Sequence, residues 1–393
     1  MPLPNQARTG RVSLVGAGPG DPALITLRGV ECLASADLVV YDYLANAQLL
    51  EHAPPSARRV SLGRHGHGRI MPQEEIHQLL IREALAGNHV VRLKSGDPMI
   101  FARASEEIDA LRAAGIPLEI VPGITAALAS GSYAGIPLTH RDAASAVALV
   151  TGRQQDNGSH EPLDYEALAR FPGTLVFYMG VTTASQWSEG LIAAGMSADT
   201  PAAIVRRCSW SDQAAVRCTL GDVAQQLKTL GLRPPCIVIV GTVATLEAPC
   251  DWFTERPLFG KTVLVTRPRH QVHQVRQRLQ QLGARVLVQP AVEISPPEDE
   301  GPLRAMLEQL ERFDWIVFSS ANGVRYFLDR LKQEGRDLRS LGNARIASIG
   351  PRTAQELATR GLISDLEPET FRAEALAEAL SNQVAGQKVL LVR

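Results

Sequence analysis

"VSLVGAGPGDP", Val12–Pro22, is the stretch on which the reading of the fold turns. An apolar run of strand character empties into Gly16, Gly18 and Gly20, then into Asp21 and Pro22. A strand, a glycine-rich turn and a helix open many nucleotide-binding α/β domains, so this turn is where a phosphate would be expected. Two details argue against a dinucleotide. Pro19 has no N–H to offer a phosphate. Asp21 sets a carboxylate where a pyrophosphate would lie, which is repulsive. Asp42, closing "DLVVYD", still suits a ribose-binding acid, so a nicotinamide enzyme stays among the alternatives.

Working outward, the same signature recurs at Ser95–Pro98, "SGDP", after the run "HVVRLK". Gly-Asp-Pro is a good turn in its own right. Two such turns at the ends of predicted strands suit a ligand that is cationic or rich in hydroxyls. S-adenosylmethionine, with a sulfonium, an ammonium and ribose hydroxyls, has that character.

The first stretch alternates strands and helices. "PALITLRGVECLASA" carries Leu24, Leu27, Cys32 and Leu33 at helical spacing. "MPQEEIHQLLIREALAG" predicts a helix stopped at Gly87, "ASEEIDALRAAG" another, and "IPLEIVPG" a strand opening the helix "ITAALASGSYAG". This alternation predicts a mostly parallel sheet covered on both faces. From about Ala146, "SAVALVTGR", "GTLVFYMGV", "TPAAIVRRCSW" and "PCIVIVGTV" predict strands separated by two helices, near "TTASQWSEGLIAAG" and "DVAQQLKTLG", a second lobe with a more mixed sheet. "LEAPCDWFTERPLFG" has no period, two prolines and exposed-looking aromatics, and reads as a boundary. From Gly260, "GKTVLVTRP", "FDWIVFSSANGV", "ARIASIGPRTAQEL" and "QKVLLVR" repeat strand, polar turn and helix. The chain stops directly after a strand, so the last domain is expected to be incomplete. The expected layout is an α/β lobe over 1–142, a second over 143–250, a linker over 251–259 and a partial α/β domain over 260–393.

Composition narrows the class. With 393 residues, 45% hydrophobic and 21% charged, the chain suits two to three soluble domains. A net charge of −1 gives no footprint for nucleic acid. No apolar run reaches the roughly 18 residues of a membrane span, and no signal core opens the chain. Five scattered cysteines, none in a C-x-x-C pair, indicate neither a disulfide framework nor a zinc site and fit a reducing cytoplasm. The pairs His65/His67 and His270/His273 lack carboxylate or thiolate company, so no metal is expected.

The motifs "GAGPGDPALITLRG", "ADLVVYDYL", "MPQEEI", "VVRLKSGDPMIF", "VPGITAALASGSYAGIPLTHRD", "TLVFYMG" and "IVIVG" resemble the tetrapyrrole methylases, and closely their uroporphyrinogen III C-methyltransferase branch. The resemblance runs from about Val12 to Phe253. It implies a homodimer of two-lobed α/β subunits with S-adenosyl-L-methionine held between the lobes. It implies two methyl transfers to uroporphyrinogen III, giving precorrin-2 toward sirohaem and cobalamin. The donor site it implies uses Pro19, Ser95, Gly96, Asp97, Ile100, Thr125, Ala126, Met179 and the backbone at Cys208. Asp42 matches the family's proton acceptor, and position 64 its proton donor. Thr125 and Ala126 begin a predicted helix, whose first N–H groups suit a carboxylate.

The acceptor carries eight carboxylates, which arginine forks match bidentately. Arg64, Arg69, Arg103, His140, Arg141 and Arg153 lie in loops beside the donor motifs and are the candidate cations. The sequence departs from the family's pattern at several of these places. Arg64 replaces a lysine, and a guanidinium binds anions but does not readily donate a proton. Ser95, Ala102, Ala104, Ser105 and Cys208 replace glycines, and Arg153 replaces a histidine. These departures keep open a methylase acting on another precorrin and a non-catalytic donor-binding module.

"GKTVLVTRP", "FDWIVFSSANGV" and "IGPRTAQEL" resemble the front half of the uroporphyrinogen III synthases. That resemblance implies substrate contacts at Thr353 and, with helix capping as the plain alternative, at Ser319 and Ser320. With only part of that fold expected, little synthase activity is expected.

Overall fold

The computed structural model describes residues 9–63, 70–153, 162–246, 251–268, 271–292, 295 and 299–393. The chain divides into two compact units, Met1–Ala291 and Val292–Arg393.

The first unit opens with β1 (Arg11–Gly16), α1 (Leu27–Ala34), β2 (Leu38–Tyr41), β3 (Arg58–Ser61), α2 (Gln73–Leu85), β4 (His89–Lys94), α3 (Ala104–Ala113), β5 (Leu118–Val121) and α4 (Ala126–Tyr133). Its five strands are all parallel, in the order β3-β2-β4-β1-β5. Val12, Leu14, Val40 and Val90 pack under α2 and α3 on one face. Val15, Val39, Val91 and Leu93 pack under α1 on the other. The central strands are therefore buried on both sides, which is why they read as unbroken apolar runs. One expected core position is corrected. Leu27 stands exposed at the first turn of α1, because Thr26 caps the helix one residue earlier and turns Leu27 outward.

The second lobe holds β6 (Val147–Thr151), α5 (Tyr165–Ala169), β7 (Thr174–Tyr178), α6 (Ala184–Ala193), β8 (Pro201–Arg206), β9 (Ala214–Thr219), α7 (Val223–Thr229) and β10 (Cys236–Val240). The sheet runs β6-β7-β10-β8-β9, parallel at the first pair and antiparallel after it, so it is mixed as expected. One face lies on α6 and α7. The other, with Val176, Tyr178, Val205 and Ile239, lies on Ala127, Ala129 and Tyr133 of α4. Helix α4 is apolar nearly all round because it is packed between the two lobes.

The aromatics expected to be exposed after residue 250 are in part buried. Phe253 is 3% exposed, and its ring meets Tyr133 edge-on at 4.6 Å and Phe259 at 5.5 Å. Trp252 stays partly open and donates from Nε1 to Ser132 O at 3.0 Å. Aperiodic sequence hides such burial, because the rings fill gaps against another element and not along their own.

β11 (Thr262–Val265), α8 (His273–Gln281) and β12 (Arg285–Val288) follow as a parallel pair with one covering helix. Arg276 of α8 grips Glu51 through both guanidinium nitrogens at 2.6 Å, and Gln280 bonds Gln48. The second unit contains α9 (Gly301–Leu307), β13 (Trp315–Phe318), α10 (Ala321–Gln333), β14 (Arg345–Ser348), α11 (Pro351–Thr359), α12 (Ala373–Ser381) and β15 (Val389–Val392). Its sheet is parallel, in the order β14-β13-β15. Among the described residues no helix is long and apolar enough to cross a membrane, and no cluster of three or more metal-ligating side chains occurs.

Candidate active site

The strand-end turns of the first lobe meet one another. Gly18 and Gly96 exchange backbone hydrogen bonds of 3.1 and 2.9 Å, pairing the "GPGDP" turn with the "SGDP" turn. Behind them Gly16, Gly96 and Gly123 touch backbone to backbone. A Cβ on Gly16 would stand 2.5 Å from Gly123 Cα, so three strand ends converge only because no side chain intervenes. This pairing answers the phosphate question. Ala17 and Gly18 give their N–H to Lys94 and Gly96, Asp21 gives its own to Ser209 Oγ, and Pro19 has none. The turn presents no cradle of donors.

The two acids of the turns are also engaged. Asp97 accepts from Met99 N at 2.8 Å and from Gly123 N at 2.9 Å. Asp21 accepts from Ala23 N at 2.9 Å and from the Tyr133 hydroxyl at 3.1 Å. Beyond suiting a ligand that is cationic or rich in hydroxyls, they staple the loops, because a carboxylate beside free backbone N–H groups is captured by them.

Of the expected donor residues, the structure brings most together. Gly96 (φ +66°) faces Thr125 and Ala126; a Cβ there would lie 3.8 Å from Thr125 Cα. Ile100 N donates to Asp97 O, and Ile100, Ala126 and Cys208 belong to one apolar cluster with Tyr178. Tyr178, from the second lobe, bonds Thr125 Oγ1 at 2.6 Å and accepts from Ala127 N at 2.9 Å. The next residue, Met179, is 50% exposed with a left-handed φ of 52°. Cys208 is buried between left-handed Arg207 and Ser209, and burial pushes its thiol up to about 12, so it stays neutral and inert. Ser95 lends its N–H to Asp42 Oδ2 at 3.1 Å, which sets Asp42 beside the "SGDP" turn.

The cations fare differently. Arg103 is clasped by Glu106 at 2.8 and 2.6 Å, which raises its pKa and leaves it half exposed. Arg141 and Arg153 are exposed, and His140 is half-buried with its Nδ1 accepting from Asp142 N. Arg64 and Arg69 lie outside the described residues. In the second unit Ser320 caps α10 by accepting from Gly323 N at 3.0 Å, Ser319 donates to Val392 O, and Thr353 is buried in α11.

Sequence reasoning overlooked Tyr178 and a buried ion cluster. Arg92 bonds Asp42 Oδ1 at 2.7 Å and Glu107 at 3.3 Å, and Lys94 bonds Glu107 at 2.7 Å. Burial, then the neighbouring Arg92, lower the Lys94 pKa, and Glu107 works against both. The signal was two cations inside the apolar strand "HVVRLK". Tyr178→Phe should strand the Ala127 N–H and Thr125 hydroxyl, costing about 1–3 kcal/mol. Thermal melting should register the loss, and calorimetry with S-adenosylhomocysteine should register weaker binding.

Residues 11–224 match the family model of the tetrapyrrole (corrin/porphyrin) methylases. The chain belongs to the tetrapyrrole methylase family. Residues 273–393 match the uroporphyrinogen-III synthase HemD model. A porphyrin biosynthesis protein HemD of Ruminiclostridium josui is 39% identical over 98% of this chain and 76% of its own length. A uroporphyrinogen-III C-methyltransferase of Bacillus subtilis is 36% identical over 92% of this chain and 74% of its own. A siroheme synthase of Salmonella typhimurium is 47% identical, covering 62% of this chain and 52% of that protein. Among solved structures, a uroporphyrin-III C-methyl transferase of Thermus thermophilus complexed with S-adenyl homocysteine superposes with a TM-score of 0.51. It is 42% identical and covers 60% of this chain and 98% of its own. A cobalt precorrin-4 methyltransferase gives a TM-score of 0.55 at 29% identity, covering 62% of this chain and 99% of its own.

Proposed function

We propose that this methylase transfers methyl groups from S-adenosyl-L-methionine to carbon atoms of uroporphyrinogen III, giving precorrin-2 toward sirohaem and cobalamin. The observation that carries the reading is Asp42. Its carboxylate is held on one oxygen by Arg92 and on the other by Ser95 N, beside the turn assigned to the donor. Every pyrrole carbon of the acceptor is already substituted, so the proton released after methylation comes from a ring N–H or a bridge methylene, and a base so placed can accept it.

The donor supplies an electrophilic methyl on a sulfonium. Gly96, Thr125 and Ala126 would hold it: their backbones lie side by side, and the start of α4 suits its carboxylate. Pro19, Ser95, Asp97, Ile100, Met179 and Cys208 would complete that wall. Arg64, Arg69, Arg103, His140, Arg141 and Arg153 would bind the acceptor's carboxylates, for which Arg103 must share or leave Glu106. Most of the catalysis is then positioning. The proposal includes a cytoplasmic homodimer, which sedimentation of the purified chain tests. The synthase-like region resembles enzymes that make the methylase's acceptor, with Ser319, Ser320 and Thr353 as its candidate substrate contacts, and little synthase activity is expected of it here.

Purified chain, uroporphyrinogen III and methyl-labelled donor under anaerobic conditions should yield a dimethylated product. Label appearing only on another precorrin would move the acceptor; donor binding without any turnover would make the chain a binding module. Arg64→Lys should raise kcat by about tenfold if proton donation at this position limits the rate. An unchanged rate would show that proton donation there does not limit turnover.

A further inference from the structure

We infer that Arg92 is a positioning residue for methyl transfer: its guanidinium, braced from behind by Glu107, fixes the Asp42 carboxylate at the donor loops. This rests on Asp42 being the proton acceptor.

All six residues of β4 are buried, and a cation in such a strand is costly unless its donors are matched. An apolar residue of similar volume would serve the core at least as well, so the guanidinium calls for another reason. Each of its three nitrogens is engaged. One terminal nitrogen reaches Asp42 Oδ1 at 2.7 Å, Nε reaches Glu107 Oε1 at 3.3 Å, and the other terminal nitrogen reaches Leu93 O at 3.2 Å. A planar fork held at three points cannot swing without losing one of them.

Charges alternate along the cluster, Lys94, Glu107, Arg92, Asp42, and exposure rises only at its end. The side chains of the first three are at most 4% exposed, whereas Asp42 is 29% exposed. Three donors, from Lys94, Arg92 and Gln73, converge on Glu107 Oε1, while its buried Oε2 has no hydrogen-bond partner among the described residues. Glu107 is thus pulled to the side from which it can hold Arg92. A network that served only the core would not need to end on a half-open acid bonded to the Ser95 N–H. Fixing that acid matters because small misplacements of a reacting group carry large rate penalties.

The test is a double-mutant cycle on the full chain. Arg92→Met and Arg92→Lys are made alone and with Asp42→Asn. Single-turnover methyl transfer to uroporphyrinogen III is measured beside calorimetric affinity for S-adenosylhomocysteine. Arg92→Met should lower the rate roughly 10- to 100-fold in the parent and by less than about twofold in the Asp42→Asn background. Affinity for S-adenosylhomocysteine should stay within about twofold, and Arg92→Lys should recover part of the rate. An equal fold-loss in both backgrounds overturns the inference, as does a rate loss that tracks lost affinity or a lowered melting temperature. A parent-like rate for Asp42→Asn alone removes the proton-acceptor reading itself and the inference with it. Where Arg92→Met does not fold, Arg92→Lys and Glu107→Gln decide by the same comparison.

Discussion

Asp42→Asn is expected to lower kcat by about a hundredfold or more, with affinity for the methyl donor little changed. The amide is isosteric and keeps an oxygen for the Ser95 N–H, so the donor loop keeps its anchor. What is lost is the anion that accepts the proton. Arg92 loses one partner but retains Glu107 and the Leu93 carbonyl, so the fold should persist with a modest drop in stability. Rapid-quench methyl transfer, S-adenosylhomocysteine calorimetry and thermal melting separate the three effects. A turnover within threefold of the parent would show that another group, or water, takes the proton.

Gly123→Ala is expected to be among the most damaging single-methyl changes in the first lobe. The new Cβ would collide with Gly96 O and lie 2.8 Å from Gly16 Cα. Both are backbone atoms of paired loops, so neither can yield as a flexible side chain would. Overpacking of this kind costs about 3 kcal/mol, and forcing the loops apart also breaks the Asp97–Gly123 staple. A fall in melting temperature of about 10 °C and loss of S-adenosylhomocysteine binding should appear together. Loss of binding with an unchanged melting temperature would mean that the junction shapes the site without holding the lobe.

The central strands were legible because both of their faces are buried. β3 and β9 were not, and both are edge strands: "RRVS" and "AAVRCT" carry mixed exposure and no clean apolar run. The meeting of the Gly16, Gly96 and Gly123 turns follows from parallel strands ending on one side of a sheet, whereas the assignment of donor-holding residues there came from the family resemblance alone. The work of their acids was legible in neither. Whether Asp97 faces a ligand or the Gly123 N–H depends on a contact 26 positions away. Tyr178 was overlooked for the same reason: its hydroxyl serves a helix of the other lobe. Ser320, weighed as either an anion contact or a cap, has its hydroxyl occupied by Gly323 N.

The packing of Phe253 against Tyr133, with Phe259 behind it, bears on how the fusion can be taken apart. A methylase fragment trimmed at Leu246, where the last strand and its closing turn are complete, would leave Tyr133 with one side of its ring open to solvent. That tyrosine holds Asp21 and so the first glycine turn. Any stand-alone version should therefore carry its C-terminus through Phe259, and dissection at the shorter boundary should yield soluble aggregates or a catalyst that has lost its grip on the methyl donor.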